Sequence, residues 1–156
     1  MNVQCQKEIS NILDCVMRDI TSRMVEIRLC EQGEALSGDT CTVQTTFEGG
    51  YHGTLRLLAD TALMVRMTQQ VMEADDVAPQ DVEDFAKEYF NVICGQFVAR
   101  LFQLTKVASR FRIPVFSTQY KEPEATKEDN QLVLNYTTAY HEGAQLIHHP
   151  LHSDGT

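Results

Sequence analysis

The sequence predicts an α+β fold, an antiparallel β-sheet packed against long α-helices. Three observations carry the prediction. Apolar residues recur at helical spacing over two long stretches, near the start and near the middle. Elsewhere the pattern alternates with period two in short runs broken by glycine or proline. The two kinds of segment follow one another without the strand–helix–strand rhythm of a parallel sheet.

The first helix spans Val3 to Arg23, where Ile9, Ile12, Leu13, Val16, Met17 and Ile20 form one stripe. Met24 to Cys30 alternates and reads as a strand, with Val25, Ile27 and Leu29 on one side. Glu31 to Asp39 is polar, holds two glycines and reads as a loop. Thr40 to Phe47 and Gly53 to Leu58 form an antiparallel hairpin around Glu48-Gly49-Gly50. Asp60 suits the N-cap of a helix ending near Met72. Ala74 to Pro79 is an acidic connection, and a long helix runs from Gln80 to Lys106. Pro114 ends the next loop and Val115 to Tyr120 reads as a strand. Lys121 to Asn130 is a charged turn, and Gln131 to Tyr140 is the last long strand. Residues 141–156 read as a polar, flexible tail. No repeat or linker divides the 156 residues, so one domain is expected.

Composition excludes several function classes. Thirteen basic against 22 acidic residues leave a charge of −9, the wrong sign for phosphate-rich nucleic acid. No apolar run approaches the roughly 18 residues of a membrane span, and no export signal opens the chain, so a cytoplasmic location is expected. Five cysteines, an odd number without a Cys-x-x-Cys pair, argue against a zinc site or disulfide framework and fit reduced, mostly buried thiols. Gly49, Gly50 and Gly53 are not followed by the Lys-Ser or Lys-Thr of a phosphate loop. His148, His149 and His152 lack a framing carboxylate or cysteine and read as part of the solvated tail. Met64, Met67 and Met72 read as core filling.

The long central helix has two unlike faces. Phe90, Ile93, Phe97, Leu101 and Leu104 form the core stripe, and Cys94 also points away from the polar side. Opposite lie Asp84, Glu88, Asn91 and Gly95, at spacings that put all four on one strip. Asn91 and Gly95 are poor helix formers, and a glycine there leaves room for another surface to approach. Plain solvation of an amphipathic helix also produces a polar strip. Pattern alone therefore ends at an α+β domain with an unusual helix face.

At these residues the chain resembles the CheC, CheX and FliY phosphatases of bacterial chemotaxis. Their signature is Asp or Ser, three residues, Glu, two residues, Asn, twenty-two residues, Pro. Asp84, Glu88, Asn91 and Pro114 meet every spacing. The runs GGYHGTLRLLADTALMVRMTQQVM and EYFNVICGQFVARL resemble the family's hairpin-plus-helix and catalytic helix. Phe90 stands where the family often has a small residue. Glu8 and Asn11 repeat the Glu-x-x-Asn spacing, but Gln4 replaces the Asp or Ser and Glu34 the Pro, so that pair reads as coincidence. One complete motif in a short chain resembles CheX, which pairs as a homodimer, more than CheC, which usually carries two.

The resemblance implies a phosphatase acting on the aspartyl phosphate of a CheY-like response regulator. Asn91 would position the attacking water and Glu88 would pair with the receiver's lysine. Asp84, Gly95 and Pro114 would support the contact. No cofactor is expected of this chain, Mg²⁺ being supplied by the regulator. The alternative is a response-regulator-binding or signalling adaptor that hydrolyses nothing.

Overall fold

A computed structural model describes residues 3–31, 36, 38–118 and 131–150. The first helix, α1 (Val3–Val25), turns out of helical geometry at Glu26, whose φ of 56° is left-handed. Strand β1 (Cys30–Glu31) follows, then the hairpin of β2 (Thr40–Gly49) and β3 (Gly53–Asp60). Helix α2 (Thr61–Met72) and the long α3 (Pro79–Thr105) come next. The chain ends in short strands β4 (Ser109–Phe111) and β5 (Val115–Ser117), then β6 (Leu132–Thr137) and β7 (Gly143–Pro150). The seven strands form one antiparallel sheet in the order β1-β6-β7-β3-β2-β4, with β5 also pairing β2.

The helices bury one face of this sheet. From β2 and β3 come Val43, Phe47, Leu55 and Leu57, all within 1 % of full burial. Against them lie Leu13, Val16 and Met17 of α1 and Phe90, Ile93 and Phe97 of α3, equally buried. Phe47 and Phe97 meet edge-on with centroids 5.4 Å apart, a favoured aromatic geometry. Tyr89 crosses from α3 to α1, where its hydroxyl and that of Thr21 lie 2.5 Å apart. These contacts fix the rotation of α3, and so decide which of its residues face outward.

Local chemistry sets the ends of α3. Pro79 occupies the first turn, where no N–H is missed, and the Asp81 carboxylate accepts the Ala78 N–H at 2.9 Å. Lys106 closes the helix in the left-handed region, its N–H donating to Phe102 O at 2.8 Å. Gly49 is required at the end of β2: its φ is 106°, and a Cβ there would come within 2.7 Å of the Ala108 carbonyl oxygen.

Several expectations need correction. The alternation from Met24 to Cys30 marks burial, not a strand: Val25, Ile27 and Leu29 are buried, but only Cys30–Glu31 pairs, with β6. Asp60 holds the N-cap position of α2 without a capping bond from its side chain, which instead accepts the Gly143 N–H at 2.8 Å. Residues 109–111, read as loop, pair with β2. The strand expected over Val115 to Tyr120 is β5 as far as Ser117; residues 119–120 and the turn at 121–130 lie outside the described residues.

The last strand is shorter than expected and is not last. What read as a flexible tail contains β7, an interior strand between β6 and β3. Its alternate residues Ala144, Leu146 and His148 face the helices and are 3 % exposed or less. His148 stacks on Tyr51 at 5.3 Å, and neither ring nitrogen has a hydrogen-bond partner among the described residues. Residues 151–156, with His152, lie outside the described residues. Leu104 and Met72, expected in the core, are half exposed. Among the described thiols, Cys41 and Cys94 are buried while Cys15 and Cys30 are exposed.

Candidate functional site

With Tyr89, Phe90, Ile93 and Phe97 committed to the core, the opposite side of α3 has to face outward. Asp84, Glu88 and Asn91 are all exposed there. Gln80 Nε2 donates to Asp84 Oδ1 at 2.8 Å, which ties Asp84 to the turn before it. Lys87 is held by Glu83 at 2.9 Å. No ion pair or hydrogen bond among the described residues occupies Glu88 or Asn91. Both therefore present their polar ends to whatever approaches.

The other wall is the edge of the sheet. Asp84, Lys87, Glu88 and Asn91 share an open depression of about 360 Å³ with Phe111, Arg112, Ile113 and Pro114. Arg112 donates through Nε to Glu48 Oε1 at 2.9 Å, and with Arg110 it holds the Glu48 carboxyl below the usual carboxylate range. That wall is tied to β2, so the groove between helix and sheet edge is defined on both sides.

The structure thus brings together Asp84, Glu88, Asn91 and Pro114, 23 positions after Asn91 in sequence. Gly95 lies one turn beyond, outside the depression. A Cβ built on Gly95 would meet nothing within 4 Å among the described residues, so none of them demands glycine there. Cys94, as expected, is fully buried away from this face, and burial pushes its thiol pKa up. Sequence reasoning missed Lys87, Arg112 and Ile113 as neighbours of the site. Lys87 lies one residue from Glu88, but the other two are placed by strand pairing, which no local pattern encodes.

Among the described residues no three or more His, Cys, Asp or Glu side chains are grouped to hold a metal ion. No described helix is long and apolar enough to cross a membrane. The arrangement offers one carboxylate and one amide, side by side and unoccupied. An amide both donates and accepts, so it can orient a water molecule, and a carboxylate can pair with an incoming cation.

Comparison with solved structures bears on the fold, and comparison with family models bears on the family. Among solved structures, the chain is similar to the chemotaxis protein CheX from Vibrio vulnificus, with a TM-score of 0.78 and 15% identity, covering 97% of this chain and 100% of that one. It is similar to CheX from Desulfovibrio desulfuricans, with a TM-score of 0.75 and 14% identity, covering 92% and 99%. A third similar structure is the CheX–CheY–BeF3–Mg complex from Borrelia burgdorferi, with a TM-score of 0.73 and 14% identity, covering 91% and 97%. No curated protein matches the chain. A family model described as "Chemotaxis phosphatase CheX" matches residues 41–137, from β2 to the end of β6 and across the whole of α3. The chain belongs to the CheX family of chemotaxis phosphatases.

Proposed function

We propose that this chain hydrolyses the aspartyl phosphate of a CheY-like receiver domain. The observation that supports it most is the unoccupied pair of Glu88 and Asn91 on an outward helix face, in a chain of the CheX family. The similar complex of CheX with CheY, BeF3 and Mg adds a partner of the right kind.

The chemistry asks little of the phosphatase. A water oxygen attacks phosphorus, the bond to the aspartyl oxygen breaks, and the products are the free carboxylate and inorganic phosphate. Receiver domains supply a Mg²⁺ ion and a lysine for the developing charge. Phosphoryl transfer depends mostly on positioning and electrostatics. Asn91 holds the water in line, and Glu88 meets the receiver lysine and sets the register. Asp84, tied to Gln80, steadies the helix, while open space at Gly95 admits the receiver surface. A substrate of this kind places the protein in the cytoplasm.

The test is the rate of dephosphorylation of phosphorylated receivers by the wild type and by Asn91→Ala, with helix content followed by circular dichroism. A folded Asn91→Ala variant with near-normal activity would remove the water-positioning role and leave an adaptor as the better reading. The assembly belongs to the same proposal. Among the described residues the outer edge of β6 pairs only with the two residues of β1, and such an edge is the kind of surface that pairs with a second copy. Light scattering at micromolar concentration should give twice the chain mass of 17.7 kDa, and a monomer throughout would count against it.

A further inference from the structure

Strands β4 and β5 are one edge strand with a fault in it. Phe111 pairs with Phe47 and Val115 with Gln44. Between those pairs β2 contributes only Thr45 and Thr46, whereas the edge strand contributes Arg112, Ile113 and Pro114. The surplus residue makes this a bulge, a device that bends a strand and re-aims a side chain. It is fastened at its first residue: Arg112 N–H donates to Thr46 O at 3.1 Å, and Arg112 O accepts from Thr45 Oγ1 at 2.6 Å. Pro114 has a fixed φ and no N–H to leave unpaired, and it confines the residue before it to extended backbone.

Ile113 is the residue this device throws outward. It is 87 % exposed, the most exposed large apolar side chain among the described residues. It packs on little of its own chain, so its identity does not serve the core. It nevertheless lines the same depression as Glu88 and Asn91. A β-branched apolar side chain with a preset backbone, beside a polar reactive pair, has the properties of a binding anchor: contact area with little entropy to lose.

We infer that Ile113 is the apolar anchor that seats the receiver domain on this face, entering a hydrophobic recess beside the phosphorylated aspartate, and so sets affinity and selection among receivers. The inference rests on the phosphatase reading above. Asn91 touches the reacting atoms, whereas Ile113 acts on docking alone.

The experiment measures dephosphorylation across a range of receiver concentrations for wild type, Ile113→Val, Ile113→Ala and Ile113→Asp, with molar mass followed for each. The expected result is a KM raised about 10-fold in Ile113→Ala and about 100-fold in Ile113→Asp, with kcat within about 2-fold and mass unchanged. Ile113→Val, which keeps the branched shape, should stay close to wild type. An unchanged KM in Ile113→Asp beside an active wild type overturns the anchor and leaves the phosphatase reading standing. A change in mass instead of KM assigns Ile113 to a contact between copies and overturns it equally. A wild type inactive on every phosphorylated receiver removes the phosphatase reading, and the anchor with it.

Discussion

The chain carries two Glu-x-x-Asn pairs, Glu8 and Asn11 on α1 and Glu88 and Asn91 on α3, and their surroundings differ. Both asparagines are exposed, and both pairs have the same helical geometry. One turn past Asn91 is Gly95, with open space where a side chain would be. One turn past Asn11 is Cys15, whose sulfur receives a hydrogen bond from Arg100 Nη1 at 3.2 Å. Beside Asn11, Asp14 is taken up by Arg18 at 3.0 Å and by the Tyr136 hydroxyl at 2.7 Å. Its groove is walled by regular strand residues 133–136, whereas Asn91 faces a bulge carrying Ile113 and Pro114. A three-residue spacing on a helix therefore sets direction only. Whether the face can receive a partner depends on what stands one turn on and across the groove.

The largest expected difference between the two helices is catalytic. Asn91→Ala should lower kcat by about 100- to 1000-fold, the range seen when one positioned polar group is removed, while Asn11→Ala stays within about 2-fold. Equal losses would erase the distinction. Next comes docking. Glu88→Lys sets like charges against each other and should raise KM for the phosphorylated receiver more than the roughly 10-fold expected of Glu88→Ala; Glu8→Lys should change it little. The smallest effect sharpens the comparison best because two readouts move in opposite directions. Gly95→Ala meets no atom of the described residues and should stabilise α3 by about 1 kcal/mol, raising Tm by about 2–4 °C. The added methyl group should also lower activity by crowding the partner. A variant both more stable and fully active would show that the open space at Gly95 is idle.

Much of this was legible in the sequence, for identifiable reasons. The faces of α3 follow from the roughly 3.6-residue period of a 27-residue helix, which sets Phe90, Ile93 and Phe97 on one side and Glu88, Asn91 and Gly95 on the other. The β2–β3 hairpin is local, so alternation and glycines suffice to locate it. The tail was misread because His148 counts as polar by composition, although Ala144, Leu146 and His148 alternate inward as a strand does. Nor does anything local say that residues 143–150 pair with 53–60. Met24 to Cys30 failed in the opposite sense: alternation reports one buried side, and pairing is a separate matter. At the candidate site, helical phase puts Glu88 and Asn91 on one face and the family motif adds Pro114, while Arg112 and Ile113 depend on a strand register that places three residues against two.

The buried His148 makes the fold sensitive to acid. Burial, with His149 adding to it, lowers the pKa of His148 from the ordinary 6.5 to about 4. Above pH 6.5 the ring is neutral in folded and unfolded chains alike, and stability is unaffected. As the pH falls below that value the unfolded chain takes up a proton that the folded one refuses, so stability declines until the folded pKa near 4 is reached. The total loss on that account is about 3 kcal/mol. Urea unfolding of wild type and His148→Phe at pH 7 and pH 4.5 measures it, since a phenylalanine keeps the stack on Tyr51 but binds no proton. The difference between the two proteins should shift in favour of the variant as the pH falls; a difference that stays constant would mean that His148 opens to water at little cost. A side chain that helps close the core at neutral pH thereby makes the folded chain less stable in mild acid.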